Sequence, residues 1–482
     1  MMNDSIEKKT LKSVAWTSVD RFGALAIQFI VTSILARLLE PADFGMVGML
    51  ALFMAVGSLL IDSGFSHALI QKENVSNQDY STVFLTNILI GITLYGVLFI
   101  AAPGIACFFN TPQLTTFART IFLMFPINAL CVVHLAKLTR ELQFKTIAKI
   151  SIYSALVSGG VGISVALCGY GIWALIFQQL SLYVSRVILY WLFVRWYPTT
   201  WFNRRSFRTL WKFSMNLLGT GVIVTIFDNI YVFIVGRFFP LDVTGYFNQA
   251  WQMGTMLPSL ITGVVSKAAF PIFCQVNKQR NPLSDISRKT LHANLFISIP
   301  CMFGVMVMAP NIFTAFFSEK WLPSVPLFRI ICIYGAFMPI RVVNTDAIKA
   351  CGKGKLYLGL ETFQRCLVLI SILLSIKQGI PSLLWGRTIA CLAALLIDMY
   401  LCGKAICLPM HKQLQEQWRV VVATLFMMLV LYSIDKLADA PFLILPIQCI
   451  IGAISYFAAC CLLQDDLAIR LYNKVRQYAH NR

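Results

Sequence analysis

The chain has 482 residues, 58% of them hydrophobic and 13% charged, with a formal net charge of +19 at neutral pH. A soluble protein of this length would have too few polar side chains to cover its surface, so the composition points to a bilayer as solvent. The basic residues lie in short connectors between apolar runs rather than in one polar domain, which argues against nucleic acid as a partner and for an anionic lipid face.

Residues 1–10 are polar. The apolar run that follows is too long, and too interrupted by Asp20 and Arg21, for a cleavable signal, so it is expected to remain as a span. At about 20 largely apolar residues per crossing, the chain offers fourteen spans: 12–36, 43–66, 80–108, 115–134, 146–168, 171–194, 209–236, 243–270, 289–316, 324–348, 356–376, 380–402, 419–435 and 441–463. The expected fold is an all-α polytopic membrane protein, and its short outer loops leave no room for a separate outer domain. Pro126, Pro258, Pro300, Pro310 and Pro339 fall within spans and suit kinked helices that face protein or a cavity.

Basic residues collect in alternate connectors, among them Lys137, Arg140, Lys145 and Lys149, then Arg204, Arg205 and Arg208, and finally Arg470, Lys474 and Arg476 in the tail. The opposite connectors hold only Arg37, Arg237, Lys320, Lys377 and Lys436, so both termini are expected in the cytoplasm. The spans divide as six, six and two: an N-terminal lobe at 1–200, a C-terminal lobe at 201–405, two further spans at 406–464 and a cytoplasmic tail at 465–482. Six spans return the chain to its starting side, so the lobes should be related by an axis along the membrane normal. An internal echo agrees with this. The turn from Arg37 to Gly45, with Pro41 and Asp43 inside it, ends one apolar segment and opens the next, and Arg237 to Gly245 repeats it with Pro240 and Asp242.

Charges inside the spans are the candidates for function, because each costs about 3 kcal/mol on insertion scales and needs a partner or a wet cavity. Arg21 lies nine residues into the first expected span, roughly 14 Å deep at 1.5 Å per residue. Asp228, nine residues before Arg237, lies at a similar depth in the seventh. Arg186, Arg341, Asp346, Glu361, Arg365, Arg387 and Asp398 extend the set. Glu361 and Arg365 are four apart on one helix face and can neutralise each other. Asp20 and Arg21 are adjacent, point to different azimuths and cannot do so simply. Arg37 and Arg237 sit at helix ends, where Arg can snorkel and bond terminal carbonyls. Asp62, Ser63, Gly64 and His67 fit either a gate or a helix C-terminal turn. The cations Arg21, Arg186, Arg341, Arg365 and Arg387 imply an anionic substrate, and a lipid pyrophosphate carrying sugars fits guanidinium forks well. Asp20, Asp228, Glu361 and Asp346 are the candidates for binding a coupling H⁺ or Na⁺. The 14 Cys lie mostly in apolar runs and the five His lack metal-ligand spacing, so no metal or other cofactor is expected.

These residues resemble the polysaccharide transporter branch of the multidrug/oligosaccharidyl-lipid/polysaccharide exporter superfamily, which includes Wzx-type flippases and the colanic-acid exporter group. The resemblance rests on Leu35 to Leu39 and Asp43 to Gly45, on Asp62 to Phe65 with Ala68 to Gln71, and on Ser81 to Phe84. It continues through Arg140 to Lys145, Gly169 to Leu175, and Asp228-Asn229 with Gly236-Arg237. It covers roughly the first 270 residues well and the rest by segment count. The resemblance implies two six-helix lobes in alternating access and carriage of a lipid-linked oligosaccharide across a bacterial inner membrane. Glycan polymerase or export machinery would be a further partner.

Two rival readings stay open. A peptidoglycan-precursor or drug exporter of the same superfamily would share the fold, although a drug antiporter calls for acidic cavity walls and this chain has more buried Arg than acid. A membrane-embedded glycan polymerase, ligase or acyltransferase would need an acid, base or nucleophile cluster on a sizeable loop, and the outer loops are too short for one.

Overall fold

The computed structural model describes residues 2–62, 65–72, 75–279, 282–415, 417–435 and 441–480. Among them every regular element is helical. Thirteen helices are long and apolar enough to cross a membrane, and the bent pair Leu114–Ala129 and Val132–Arg140, kinked by 41°, makes up to fourteen. Most expected spans are found within a few residues of their expected ends, but the first helix begins at Met2, the fourth span is broken and runs to Arg140, the eighth runs on to Lys278 and the ninth begins at Leu283. The chain is a multi-pass membrane protein.

The chain forms two compact units that divide between Asn248 and Gln249. In the first, α1 (Met2–Leu38) packs on α8 (Phe144–Leu167), which packs on α9 (Trp173–Val194). Beside them lie α2 (Pro41–Asp62), the short α3 (Phe65–Gln71), α4 (Asn77–Phe108) and the broken span of α5 (Leu114–Ile121), α6 (Met124–Ala129) and α7 (Val132–Arg140). Helix α10 (Arg204–Phe238) packs along α2, and the unit closes with the first turns of α11 (Leu241–Lys278).

The echoed turns meet in this unit, and they meet reciprocally. A Cβ on Gly45 would collide with the carbonyl oxygen of Leu241, and one on Gly245 with the carbonyl oxygen of Pro41. Each partner is 200 positions from its counterpart, which is the signature of a local twofold relation. Glycine at both sites lets the two helix starts touch backbone to backbone, as small residues do between membrane helices. Three residues on, Asn248 Nδ2 donates to the Phe44 carbonyl (3.1 Å).

In the second unit, α12 (Leu283–Ile312) packs on α13 (Ser324–Ala350), and α13 and α14 (Gly354–Ser375) both pack on α15 (Ile380–Ile406). The short α16 (Met410–Leu414) leads to α17 (Gln417–Asp435) and α18 (Pro441–Leu462), a pair that packs on α12. Polar contacts fix this pair at both ends. His292 on α12 lies 3.1 Å from Asp465 and 3.4 Å from the Gln417 Oε1. Towards the other end, Asn311 Nδ2 donates to Asp435 Oδ1 (2.5 Å). Between them the Tyr456 hydroxyl donates to the Phe296 carbonyl (2.8 Å). Burial works against the Asp465 carboxylate, but bonds from His292 and from the backbone N–H groups of Leu467 and Ala468 hold it below the usual carboxylate range. The two terminal spans are thereby a fixed part of the second unit.

Candidate functional site

The charges singled out in the spans gather into separate groups in the two units. In the first, Asp62 closes α2 and accepts a hydrogen bond from Asn128 Nδ2 (2.8 Å) on α6. Arg186 on α9 is near enough to Asp62 to attract it electrostatically, and it approaches the ring of Tyr183 one turn earlier, at 5.9 Å. Asp20, half-buried on α1, contributes to the same field around Tyr190. Ser63, Gly64 and the side chain of His67, grouped with Asp62 by the sequence, lie outside the described residues.

Arg21 is exposed on the first unit and makes no hydrogen bond or ion pair among the described residues. Asp228 is exposed on α10. Arg37, also exposed, ends α1. Arg237 lies over the Phe108 ring at 5.1 Å and, with the Asn110 amide oxygen turned towards it, donates to that oxygen at 2.7 Å. Arg237 therefore ties the end of α10 to the end of α4.

In the second unit the acids and bases interlock. Arg341 on α13 donates from Nε to Asp398 Oδ2 (3.0 Å) on α15 and from Nη2 to Glu361 Oε1 (2.8 Å) on α14. Arg365 donates to the other oxygen of Glu361 (3.3 Å). Three helices are thus joined by two guanidinium groups and two carboxylates of zero net charge. The Glu361–Arg365 pair follows from its spacing, whereas Arg341 is the hub that only tertiary packing could supply. Asp398 reaches across to Arg341 rather than along α15 to Arg387. Eleven residues place Arg387 on nearly the same face but about 16 Å away by helix rise.

Arg387 itself is 7% exposed. Its guanidinium carbon stands 4.5 Å from the centre of the Trp251 ring and 5.1 Å from that of Tyr334. Trp251 reads in the sequence as an interface anchor or packing residue, and nothing in its spacing links it to residue 387. A cavity of about 50 Å³ lies beside these groups, with Tyr334, Arg341, Gln364 and Thr388 in its wall. Aromatic stacking takes up the faces of a guanidinium and directs its hydrogen bonding to the in-plane edge, the geometry that suits phosphate or carboxylate oxygens. Asp346, finally, accepts from Ser266 Oγ (2.5 Å) and Lys349 Nζ (3.2 Å), joining α11 to α13. Asn128, Ser266 and Tyr334 are the contributors that a search for charge passes over.

Several stretches that carry the family resemblance are scaffold. Arg140 donates to the carbonyls of Leu69 (2.9 Å) and Lys72 (2.6 Å), satisfying the open end of α3. Gly169 and Gly171 both adopt positive φ (80° and 53°) in the turn into α9, a conformation that costs glycine little.

A family model described as "Polysaccharide biosynthesis protein" matches residues 34–326. The teichuronic acid biosynthesis protein TuaB of Bacillus subtilis is 26% identical over 434 residues, spanning 89% of this chain and 90% of its own. The lipopolysaccharide biosynthesis protein WzxC of Escherichia coli is 22% identical, spanning 69% of this chain and 68% of its own. Among solved structures, the lipid II flippase MurJ in an inward closed conformation aligns over 94% of this chain and 99% of that one, with a TM-score of 0.73 at 14% identity. That likeness is one of fold.

Proposed function

The chain belongs to the polysaccharide biosynthesis protein family, and from that premise we propose that it carries a lipid-linked pyrophosphate oligosaccharide, or polysaccharide repeat unit, across the bacterial inner membrane by alternating access. The observation that carries this reading is the set of guanidinium groups within the spans, with Arg387 held almost fully buried against two aromatic rings. A guanidinium facing acyl chains is costly, so the guanidinium groups within the spans of each unit support a polar surface for an anion. The substrate leaves chemically unchanged, its head group passing through protein while the lipid tail stays in the bilayer. The names of TuaB, a teichuronic acid biosynthesis protein, of WzxC, a lipopolysaccharide biosynthesis protein, and of MurJ, a lipid II flippase, support this assignment.

In this reading the transport lobes are residues 1–200 and 201–405, with 406–464 as accessory spans and both termini in the cytoplasm. Arg21, Arg186, Arg341, Arg365 and Arg387 supply the cationic surface. Arg341 and Arg365 can bind phosphate oxygens only as Glu361 and Asp398 yield them, so substrate entry and carboxylate protonation are linked there. Asp20, Asp228, Glu361 and Asp346 are the groups through which an H⁺ or Na⁺ gradient would act, and Arg37, Asp62 and Arg237 frame the ends of the moving helices. Anionic lipid and a glycan polymerase are the partners on either face.

The experiment is transport of a defined lipid-linked oligosaccharide in vesicles with and without an imposed H⁺ or Na⁺ gradient. Wild-type protein is expected to respond to one of the gradients. Asp228→Asn should lose most of that response while substrate binding changes less than about threefold. Equal loss of binding and transport would assign Asp228 to packing or to the substrate instead, and transport of no lipid-linked glycan under either gradient would contradict the proposed function.

A further inference from the structure

The last helix, α19 (Asp466–His480), follows the end of α18 after three residues. Its start is anchored. Asp465 is buried against His292, and its Oδ1 accepts from the backbone N–H groups of Leu467 (3.0 Å) and Ala468 (3.2 Å), capping the helix. Arg419 on α17 donates to the Gln464 carbonyl (2.7 Å). Gln464 has φ of 58°, so the chain turns out of the direction of α18 at that point. The helix therefore begins at the level where α18 leaves the membrane, and it does not continue α18.

Its sequence is two-faced. Positions 468, 471, 472 and 475 share one face at helical spacing, all of them apolar. Ala468 is fully buried, whereas Leu471 and Tyr472 are 42% and 52% exposed. Lys474 flanks this face on one side and Arg476 on the other, Arg470 lies nearly opposite it, and Asp466 is the only acid in the helix. An exposed apolar stripe with basic edges, starting three residues after a membrane span, matches the interfacial plane of a lipid leaflet.

We infer that α19 lies on the membrane surface as an interfacial helix, with Leu471 and Tyr472 in the acyl boundary and Lys474 and Arg476 against anionic phospholipid headgroups. This inference rests on α18 being a span and is independent of what the protein transports. Charge complementarity decides for lipid over a protein groove, because Lys474 and Arg476 sit at the two edges of the stripe, where headgroups surround a helix lying in the leaflet. Each basic residue near such a surface raises its occupancy about fivefold, so Lys474 and Arg476 together act roughly 25-fold.

The test is amide hydrogen exchange of residues 466–480 in the full-length protein, in nanodiscs of phosphatidylcholine alone, in nanodiscs with a third phosphatidylglycerol, and in detergent. Exchange should be at least about tenfold slower with phosphatidylglycerol than with phosphatidylcholine. The variant Arg470→Gln/Lys474→Gln/Arg476→Gln should lose that difference, while the amides of α17 and α18 stay protected. The same slow exchange in all three media would show a helix docked on the protein and overturn the inference. Fast exchange in all three would show a free tail and overturn it equally.

Discussion

Arg21→Ala is expected to lower delivery of the glycan to the outer leaflet by about 10- to 100-fold, the equivalent of one lost charge-assisted contact to a phosphate. The same protein should still reach the membrane and fold. The two halves of this expectation come from one observation. Arg21 is exposed on its unit and makes no hydrogen bond or ion pair among the described residues, so no described bond is lost with it. Insertion should even improve, since a charge within a span costs about 3 kcal/mol. Arg21→Lys, which keeps the charge and loses the planar fork, should fall between wild type and Ala. Paired assays of export and of thermal stability in detergent measure both halves. Full export by the Ala variant would remove Arg21 from the path, and a drop in both would make its role structural.

Arg341→Ala should have the largest effect on stability, about 3 kcal/mol or more. The side chain of Asp398 is 1% exposed and that of Glu361 18% exposed. Removing Arg341 strands Asp398 without its cation and leaves Glu361 with Arg365 alone, at 3.3 Å. Loss of a partner from a buried pair costs far more than the pair contributes, because the remaining charge keeps its desolvation penalty. Arg365→Ala breaks the longer contact to Glu361, between neighbours on one helix, and should cost much less. Combining Arg341→Ala with Asp398→Asn should recover part of the loss, and a double-mutant cycle read by thermal unfolding gives the coupling. Equal effects of Arg341→Ala and Arg365→Ala would show that the three-helix junction is not held by its hub.

The contrast between these two arginines shows how far the sequence could be read. Both stand out in the same way, as a charge in an apolar run, and hydropathy locates them equally well. Their difference is azimuthal. Arg341 turns towards two acids on other helices and Arg21 towards none among the described residues, and no periodicity within one span reveals what faces it from another. The spans were legible because about 20 apolar residues in a row have few alternatives. The repeated Arg-to-Gly turn was legible for a similar reason, since Pro and an acid between fixed ends make a pattern that can be matched 200 positions later. That the two turns touch each other through Gly45 and Gly245 was not, because a glycine in a span is compatible with a kink, a cap or a close approach. Asn128, Ser266 and Tyr334 escaped notice because uncharged polar groups are common in spans and acquire meaning only from the charged group they meet. The role of Trp251 was hidden for the complementary reason: its partner, Arg387, lies four helices further along the chain.

The central claim is that this protein moves a lipid-linked glycan between leaflets and leaves it intact. Its most direct measurement is the leaflet sidedness of a defined lipid-linked pyrophosphate oligosaccharide in vesicles of purified protein, read with a membrane-impermeant enzyme or lectin. The glycan should pass from the protected to the accessible leaflet at a rate that rises with the amount of protein, and the recovered lipid should be unaltered. A distribution identical to that of protein-free vesicles, or recovery of a glycan that has been joined, cleaved or acylated, would contradict the account.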